Sequence, residues 1–254
     1  MHRFTLPLLA LLAFGLFPML IVRATPPDRS IYLPVLAKSG DGDPVVAGLP
    51  FDPFATYSGD GTAYEYTGGG NLTRDSISRN TYIAAINQQQ YFNGLLCGAY
   101  VMVTGPSGSL PVLIVDRCPE CVAGDLDLEI AALQAIAGTG DGRHPISWRL
   151  ISPPIGRTIG YRFQGSNPFY VKVQILFHRN PIARVEIEHG GAFVELTRSS
   201  DGFFLYFPSG ALGPITLRVT DIYGNRITDS ATPIAVNNTT IFELYWRFPP
   251  LQGR

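Results

Sequence analysis

Charge is sparse in this chain, and lysine is almost missing. Charged residues make up 15% of the 254 residues, the formal net charge is −1, and the only lysines are Lys38 and Lys172. Phosphate binding needs concentrated Lys and Arg side chains, and the sequence contains no basic cluster. We therefore expect no nucleic-acid partner. General disorder is excluded as well, because 46% of the residues are hydrophobic.

Cysteine is scarce too, with three residues, Cys97, Cys118 and Cys121. In an oxidising compartment two of them would pair and one would be left over, and the sequence does not choose among the three pairings. The Cys-x-x-Cys spacing also occurs in zinc sites, but a closed zinc site needs four ligands and the histidines are not spaced to complete one. We therefore predict one disulfide, no metal and no cofactor.

Residues 1–24 are typical of a secretory signal peptide. A positively charged start precedes an apolar run from Phe4 to Val22, and Val22-Arg23-Ala24 offers a cleavage site. A retained membrane anchor is the alternative, because the run approaches the length of a spanning helix. Two prolines and a glycine inside the run favour cleavage. We expect a secreted, extracellular protein with no stable membrane association after cleavage.

The rest of the chain divides into two units and two linkers. Residues 25–52 are rich in Pro, Gly and Asp and lack periodicity, which predicts a flexible linker. Short apolar segments with one helical pattern at 128–137 favour a compact β-barrel over 53–152. Prolines then predict a short, stiff connection over 153–156.

Beyond residue 156 the pattern changes to alternation. Apolar and polar side chains alternate with period two in five segments, and a turn residue follows each of them. Half-buried strands at this spacing predict an antiparallel β-sandwich over 157–250, so the fold class is mainly β. The five segments are 171–175, 183–188, 193–196, 215–219 and 241–246.

Asp127 is the acidic residue that the pattern singles out. It lies between Leu126 and Leu128, after the apolar strand Leu113-Ile114-Val115 and a loop bracketed by cysteines. A carboxylate flanked by leucines is partly desolvated, which raises its pKa and suits a proton donor. The alternative is that Asp127 caps the following helix by accepting hydrogen bonds from free backbone N–H groups.

Four motifs, in this order and with these separations, resemble those of the microbial expansins. The resemblance covers residues from about 55 to 249 and implies a six-stranded double-psi β-barrel followed by an immunoglobulin-like, cellulose-binding β-sandwich. It further implies a monomer that binds cell-wall polysaccharide, namely cellulose, a related β-glucan, peptidoglycan or chitin, and loosens it without cutting it. The motifs are Ala55-Thr56-Tyr57-Ser58-Gly59, Val115-Asp116 with Leu126-Asp127-Leu128, Ile146-Ser147-Trp148-Arg149, and Thr220-Asp221-Ile222-Tyr223-Gly224.

The resemblance assigns several residues to one groove in the barrel. It gives Asp127 the indispensable role and places Thr56, Ser58 and Asp116 beside it. It also implies that Tyr57 is a polysaccharide-binding aromatic.

The loop Asp116-Arg117-Cys118-Pro119-Glu120-Cys121 departs from the bacterial relatives, which usually carry an aromatic where this chain has Cys118. The Asp-Arg-Cys-Pro-x-Cys pattern is closer to barwin-like and fungal loosenin-type barrels. That likeness implies a different groove floor, stiffened by a disulfide.

Exposed aromatics on the sandwich are the second expected binding feature, because aromatic rings cover the apolar C–H faces of sugars. The sandwich relatives carry a row of three. Phe169 and Tyr170 match two of them, whereas the third position falls on Asp201. Flat-face binding to crystalline cellulose therefore requires Phe203 or Tyr206 as the substitute, and of these we predict Phe203 as a binding residue. Neighbouring strand residues face opposite ways, and both matched aromatics are exposed only if the chain turns there, which the preceding Gly-Ser-Asn-Pro segment favours.

Two enzymatic alternatives and one non-enzymatic alternative remain. Glycoside hydrolysis normally uses two carboxylates. Asp60 stands four residues after Thr56, the offset at which family-45 endoglucanases carry their base, so Asp60 and Asp127 could form an endoglucanase pair or act in a lytic transglycosylase. The opposing interpretation is that Asp60, before Gly61, is a solvated turn residue. The non-enzymatic alternative is a barwin-like defence protein that binds chitin or a protein.

Overall fold

A computed structural model of the protein describes residues 37–38, 44–68, 70–71, 81–232, 234 and 241–243. The predicted signal peptide and most of the predicted linker lie outside the described residues. Within the described part, no helix is long and apolar enough to cross a membrane.

Six strands close into a barrel that confirms the predicted double-psi architecture. They are β3 Thr56–Tyr64, β4 Tyr82–Asn87, β5 Tyr100–Gly105, β6 Gly108–Cys118, β7 Leu126–Glu129 and β8 His144–Ile151, preceded by the short strands β1 Ala37–Lys38 and β2 Pro44–Val45. The order around the barrel is β3-β7-β4-β6-β5-β8. The pairs β3–β7 and β4–β6 are parallel, and the others are antiparallel.

The barrel interior is filled by inward-facing apolar side chains, including Ile86, Leu126 and Leu128. One helix, α1 Ile130–Ala137, contributes Ala132, Leu133 and Ile136 to the barrel core and ends at Gly138 in the left-handed conformation. The predicted helix therefore exists, but it begins two residues later than the apolar pattern indicated. The chain remains a strand through Glu129 because those residues pair with β3 and β4.

The second unit is the predicted β-sandwich of two antiparallel sheets. Its strands are β9 Gly160–Phe163, β10 Val171–Leu176, β11 Ile182–His189, β12 Ala192–Glu195, β13 Thr197–Arg198, β14 Phe203–Tyr206, β15 Ile215–Asp221, β16 Arg226–Thr232 and β17 Ile241–Glu243. One sheet has the order β13-β14-β10-β9-β17, and the other has the order β12-β11-β15-β16. Tyr161, Phe163, Val173, Ile187 and Leu217 fill the space between the sheets.

The prediction of a flexible linker over 25–52 is wrong for its last part. The backbone N–H of Val46 donates to the carbonyl of Ile222 in the sandwich over 2.8 Å. Leu49 packs on the barrel core, and the ring of Phe51 stacks on that of Phe92 with centroids 5.0 Å apart. This segment therefore lies against both units, because Val45, Leu49 and Phe51 are partly buried there rather than left in solvent.

A polar interface joins the barrel to the sandwich. The side-chain amide of Gln174 donates to the carbonyl of Asn71 over 3.0 Å, and the hydroxyl of Tyr91 donates to the carbonyl of Ser200 over 3.0 Å. The Cα of Gly202 lies so close to Cys97 that a Cβ there would meet its sulfur at 2.9 Å. These contacts join the two units directly, in addition to the short connection over 153–156.

Asn180 links two buried titratable groups near this interface. Its carbonyl faces Nδ1 of His178 at 2.9 Å, and its amide donates to Asp221 over 2.7 Å. Burial lowers the pKa of His178 to about 4 and raises the pKa of Asp221 to about 6. Arg198 also acts to lower the pKa of His178.

These two shifts predict opposite pH dependences of stability. His178 takes up a proton below about pH 6.5 when unfolded but only near pH 4 when folded, so its contribution to folding stability is lost as the pH falls through that window. Asp221 takes up a proton near pH 6 when folded but near pH 3.8 when unfolded, so its contribution rises as the pH falls. The two effects oppose each other in the native protein.

We therefore expect the His178→Asn and Asp221→Asn substitutions to change the pH dependence of folding stability in opposite directions. When the pH is lowered from neutral to mildly acidic, the free energy of unfolding of His178→Asn should rise relative to that of the native protein, and that of Asp221→Asn should fall, each by about 2 kcal/mol. Urea unfolding measured at both pH values gives the comparison. Equal slopes in the two variants would contradict the assignment.

Candidate functional site

A row of four residues crosses the outer wall of the barrel. Thr62 on β3 pairs with Asp127 on β7, Asp127 pairs with Ala85 on β4, and Ala85 pairs with Asp116 on β6. Strands lie about 4.8 Å apart, so the Cα atoms of Asp127 and Asp116 are separated by about 10 Å. Ala85 is only 5% exposed although it faces outward, so it forms a depressed floor between two larger side chains. We call this feature, with Thr56, Ser58 and Asp60, the acidic groove.

Asp127 is a half-buried carboxylate in this groove. The hydroxyl of Thr62 donates to its Oδ1 over 2.6 Å. Burial is the main cause that raises the pKa of Asp127 above its ordinary value, and the nearby Glu120 adds to the rise. The Thr62 hydrogen bond and the positive charge of Arg143 act in the opposite direction. Asp127 is thus held by Thr62, and its pKa lies above that of an exposed aspartate.

The alternative assignment of Asp127 as a helix cap is wrong. Helix α1 begins at Ile130, and the capping position is Glu129, whose side chain makes no capping hydrogen bond. Asp127 lies inside β7, where its side chain points away from the barrel core.

Strand β3 carries the remaining groove residues on one face. Thr56 and Ser58 are exposed, and they share the face of Thr62 because alternate residues of a strand point the same way. Tyr57 has the opposite orientation. Its ring stacks on the buried Trp148 with centroids 4.5 Å apart, and its hydroxyl donates to the carbonyl of Asp52 over 3.0 Å. Tyr57 therefore packs against Trp148 and does not belong to the acidic groove.

Asp60 belongs to the continuous strand β3, so its interpretation as a turn residue is wrong. It lies on the face of Thr62, two residues before the partner of Asp127, which places its Cα about 8 Å from that of Asp127. Nη1 of Arg143 lies 3.3 Å from Oδ2 of Asp60 and 3.1 Å from Oδ2 of Asp125. The guanidinium of Arg143 therefore bridges two carboxylates, those of Asp60 and Asp125.

Two glycines allow the loop after β6 to cross β3. A Cβ at Gly59 would lie 2.3 Å from the carbonyl carbon of Gly124, and a Cβ at Gly124 would lie 2.0 Å from the carbonyl oxygen of Ser58. The indole N–H of Trp148 donates to the carbonyl of Gly124 over 2.8 Å, and the N–H of Asp60 donates to Oδ1 of Asp125 over 2.8 Å. These contacts bring the chain to the start of β7.

Cys118 and Cys121 form the disulfide, and Cys97 is free and buried. The pairing that the sequence left open is therefore the one within the Cys-x-x-Cys loop. Burial raises the pKa of the Cys97 thiol to about 12. Within the described residues, no group of three or more His, Cys, Asp and Glu side chains is arranged to hold a metal ion.

Asp116 lies at the other end of the row, beneath a loop. Its Oδ1 accepts the N–H of Arg117 over 2.9 Å. Gly70, at φ +92°, passes so close that a Cβ there would lie 2.8 Å from Oδ2 of Asp116, and the N–H of Asn71 donates to the carbonyl of Val115 over 3.1 Å. The backbone of Gly70 and Asn71 thus closes this end of the acidic groove.

The sandwich carries exposed aromatics, but the third one differs from the prediction. Phe169 is 61% exposed and Tyr170 is partly exposed, because a tight turn over 167–170 interrupts the strand. The prediction for Phe203 is wrong, since its side chain is only 4% exposed and lies beneath Lys172. Phe207 is 71% exposed, and its ring centroid is 5.1 Å from that of Tyr170.

Tyr206 is not the substitute either, because its hydroxyl hydrogen-bonds Nδ1 of His189 and its side chain packs against the sandwich core. Asp201 forms an ion pair with Lys172 at 2.8 Å. Extending the alternation of β14 by one residue would have pointed to Phe207, because it shares the face of Leu205. We call Phe169, Tyr170 and Phe207 the aromatic patch.

The first site prediction concerns the Thr62–Asp127 hydrogen bond. Thr62→Val removes a donor that stabilises the charged carboxylate, so the pKa of Asp127 should rise further. Carbon-detected NMR titration of the carboxyl group measures this. A matched Ser58→Ala variant on the same strand face should leave that pKa unchanged, and a fall in the Thr62→Val variant would contradict the geometry.

The second site prediction concerns the disulfide. The closed loop is short, so replacing Cys118 and Cys121 by Ser should lower the free energy of unfolding by only about 2 kcal/mol. The local effect should be larger, because the connection from β6 to β7 that contains Cys121 also contains Gly124 and Asp125. Amide hydrogen exchange should therefore accelerate at those two residues and not in the sandwich. Uniform acceleration over the whole chain would contradict this local role.

Comparisons with known proteins place the chain in a family, although no protein-family model matches it. It is 31% identical over 192 residues to expansin-YoaJ of Bacillus subtilis, which covers 74% of this chain and 80% of that protein. It is 26% identical over 184 residues to expansin-like protein 2 of Dictyostelium discoideum, covering 45% of that protein.

Solved structures agree. The apo expansin of Clavibacter michiganensis matches with a TM-score of 0.71 and 31% identity, covering 78% of this chain and all of that one. A mutant of the same expansin, solved in complex with cellohexaose, matches with the same TM-score, identity and coverage. Together with the six-stranded barrel, the sandwich and the position of Asp127, these similarities show that the chain belongs to the expansins.

Proposed function

We propose that this protein is a secreted, monomeric expansin that binds a cell-wall β-glucan through the acidic groove and the aromatic patch and loosens it without cleaving it. Two comparisons support the ligand class: the chain is similar over most of its length to an expansin, and the structure of a related expansin contains cellohexaose. Peptidoglycan and chitin are the other glycans to be tested, since the barwin-like alternative would take chitin.

The setting of Asp127 carries the proposal. A protonated carboxyl group donates one hydrogen bond and accepts others, so it can bond a glucan hydroxyl that would otherwise bond a neighbouring chain. Burial raises the pKa of Asp127, which keeps a larger protonated fraction in weakly acidic conditions than an exposed aspartate would have. Loosening would then be an exchange of hydrogen bonds, strongest at acid pH and falling as Asp127 ionises.

The ion pair at Asp60 supports a mechanism without cleavage. A glycosidase needs a second carboxylate that is free to activate water or to attack the sugar. Here the guanidinium of Arg143 lies on Asp60 and on the buried Asp125, and the backbone N–H of Asp60 is also bonded to Asp125. The guanidinium of Arg143 thus occupies one of the two carboxylate oxygens of Asp60.

Hydrolysis is the second candidate function because of one observation. Asp60 on β3 and Asp127 on β7 lie on the same face of the barrel sheet with Cα atoms about 8 Å apart. That spacing allows their carboxyl groups to reach the separation of roughly 6.5–9.5 Å found in inverting glycosidases. Reducing-end release from soluble β-glucan distinguishes the two functions. We expect none from the native protein, and sustained release that Asp60→Asn abolishes would establish the hydrolase instead.

The test of loosening uses Asp127→Asn, which preserves shape and removes the titratable proton. We expect extension of a clamped cellulose network under load to fall at least tenfold, while binding to the same network changes by less than about twofold, because the aromatic patch is untouched. Glu188→Gln, which removes an exposed carboxylate on β11 of the sandwich, is the matched control and should keep full extension activity. Unchanged extension with Asp127→Asn would refute the proposal.

A further inference from the structure

Two of the most exposed large apolar side chains of the described residues lie close together on the sandwich. Phe169 and Phe207 are 61% and 71% exposed, and Tyr170 lies beside Phe207. Clustered exposed aromatics mark interaction surfaces in soluble proteins, whereas single exposed apolar residues carry no such meaning. The aromatic patch is therefore a binding surface whose shape bears on its ligand.

The register of the sheet shows which face the patch occupies. Val171 on β10 pairs with Tyr206 on β14, and both belong to the face that packs on the sandwich core. The neighbours of this pair, Tyr170 and Phe207, point to the opposite face by alternation. They form one adjacent pair on the outer surface of the five-stranded sheet.

The two rings do not form a flat platform. Their planes are inclined by 36° to each other, with centroids 5.1 Å apart. The face of a cellulose crystal presents parallel sugar rings, and two aromatic rings can both lie flush on it only if they are coplanar. A separated glucan chain has no such restriction, because successive sugars can turn about their glycosidic bonds. The inclined pair therefore fits two successive sugars of a twisted chain.

The backbone around the patch is held on both sides. In the turn, the N–H of Asn167 donates to the carbonyl of Tyr170 over 2.8 Å, and the N–H of Phe169 donates to Oδ1 of Asn167 over 2.8 Å. The N–H of Leu212 donates to the carbonyl of Pro168 over 2.9 Å. These bonds fix the backbone of the turn that carries Phe169 and Tyr170 and so fix where the Tyr170 side chain leaves the sheet.

The patch is also short. The next pair along the same face is Lys172 with Leu205, and Lys172 is engaged with Asp201 at 2.8 Å. The following aromatic on that face, Phe203, is buried. A long coplanar row that would lie along a crystal surface is thus missing from the described part of this sheet.

We propose that the aromatic patch selects individual, non-crystalline β-glucan chains over flat crystalline cellulose, with Tyr170 and Phe207 each stacking on one of two successive sugars. This selectivity rests on the proposed function, because it assumes a β-glucan ligand. It assigns Phe207 to the binding surface in place of the expected Phe203 or Tyr206.

The test is a set of binding isotherms for the full chain on three β-glucans: acid-swollen amorphous cellulose, crystalline cellulose and soluble cellohexaose. We expect at least tenfold tighter binding to amorphous than to crystalline cellulose. Phe207→Ala and Tyr170→Ala should each weaken binding to amorphous cellulose and to cellohexaose by about tenfold, as expected for the loss of one stacking contact. Their effect on crystalline cellulose should be small.

Val194→Ala is the matched control. Val194 is also exposed, at 38%, but lies on β12 of the other sheet, so its truncation should leave every isotherm unchanged. Circular dichroism of the aromatic variants should match that of the native protein, since Phe207 is mostly in solvent. Equal affinity for crystalline and amorphous cellulose, or native-like binding by Phe207→Ala, would overturn the selectivity. Absence of binding to all three glucans would refute the proposed function itself.

Discussion

The close crossing of Gly59 and Gly124 is the constraint on which the groove depends. Each glycine lies where a Cβ would overlap the backbone of the other segment. The crossing lets the loop after β6 enter beside β3, and β7 then runs parallel to β3 with Asp127 beside Thr62. Any side chain at either position would push the two segments apart. The hydrogen bond between Thr62 and Asp127 therefore depends on glycine at both position 59 and position 124.

The groove residues could be predicted from the sequence, but the conformation of the glycines beside Asp60 could not. The residue types of Thr56, Ser58, Asp116 and Asp127 and their order were enough to indicate a shared groove through the family resemblance. The glycines on either side of Asp60 favour a turn in the sequence, whereas Gly59 lies against the backbone of Gly124 and Gly61 lies against the barrel core. A Cβ at Gly61 would lie 3.1 Å from Ile146 and 3.2 Å from Leu128, so the glycine serves close packing within a strand.

Alternation predicted the strands that have one buried and one open face, such as β11 and β15. It missed β9, because all four of its residues are buried and the period-two signal vanishes. It also left the choice of the third aromatic open, since β14 is apolar throughout and only its pairing with β10 shows which side chains point inward. The ion pair of Arg143 with Asp60 had no signal at all, because it joins residues 83 positions apart.

The strength of the interface between the barrel and the sandwich bears on the proposed loosening. When a bound glucan is pulled, either the contacts between the two units or the contacts between glucan chains must break first. Gln174 and Tyr91 donate hydrogen bonds across the interface from buried positions, and separating the two units would break both bonds together with the close packing of Gly202 on Cys97. A single hydrogen bond between two hydrated polymer chains contributes only about 0.5–1.5 kcal/mol net. A glucan held at both the acidic groove and the aromatic patch would therefore yield before the protein does. The contacts that break would be those between glucan chains, which requires no covalent chemistry from Asp127.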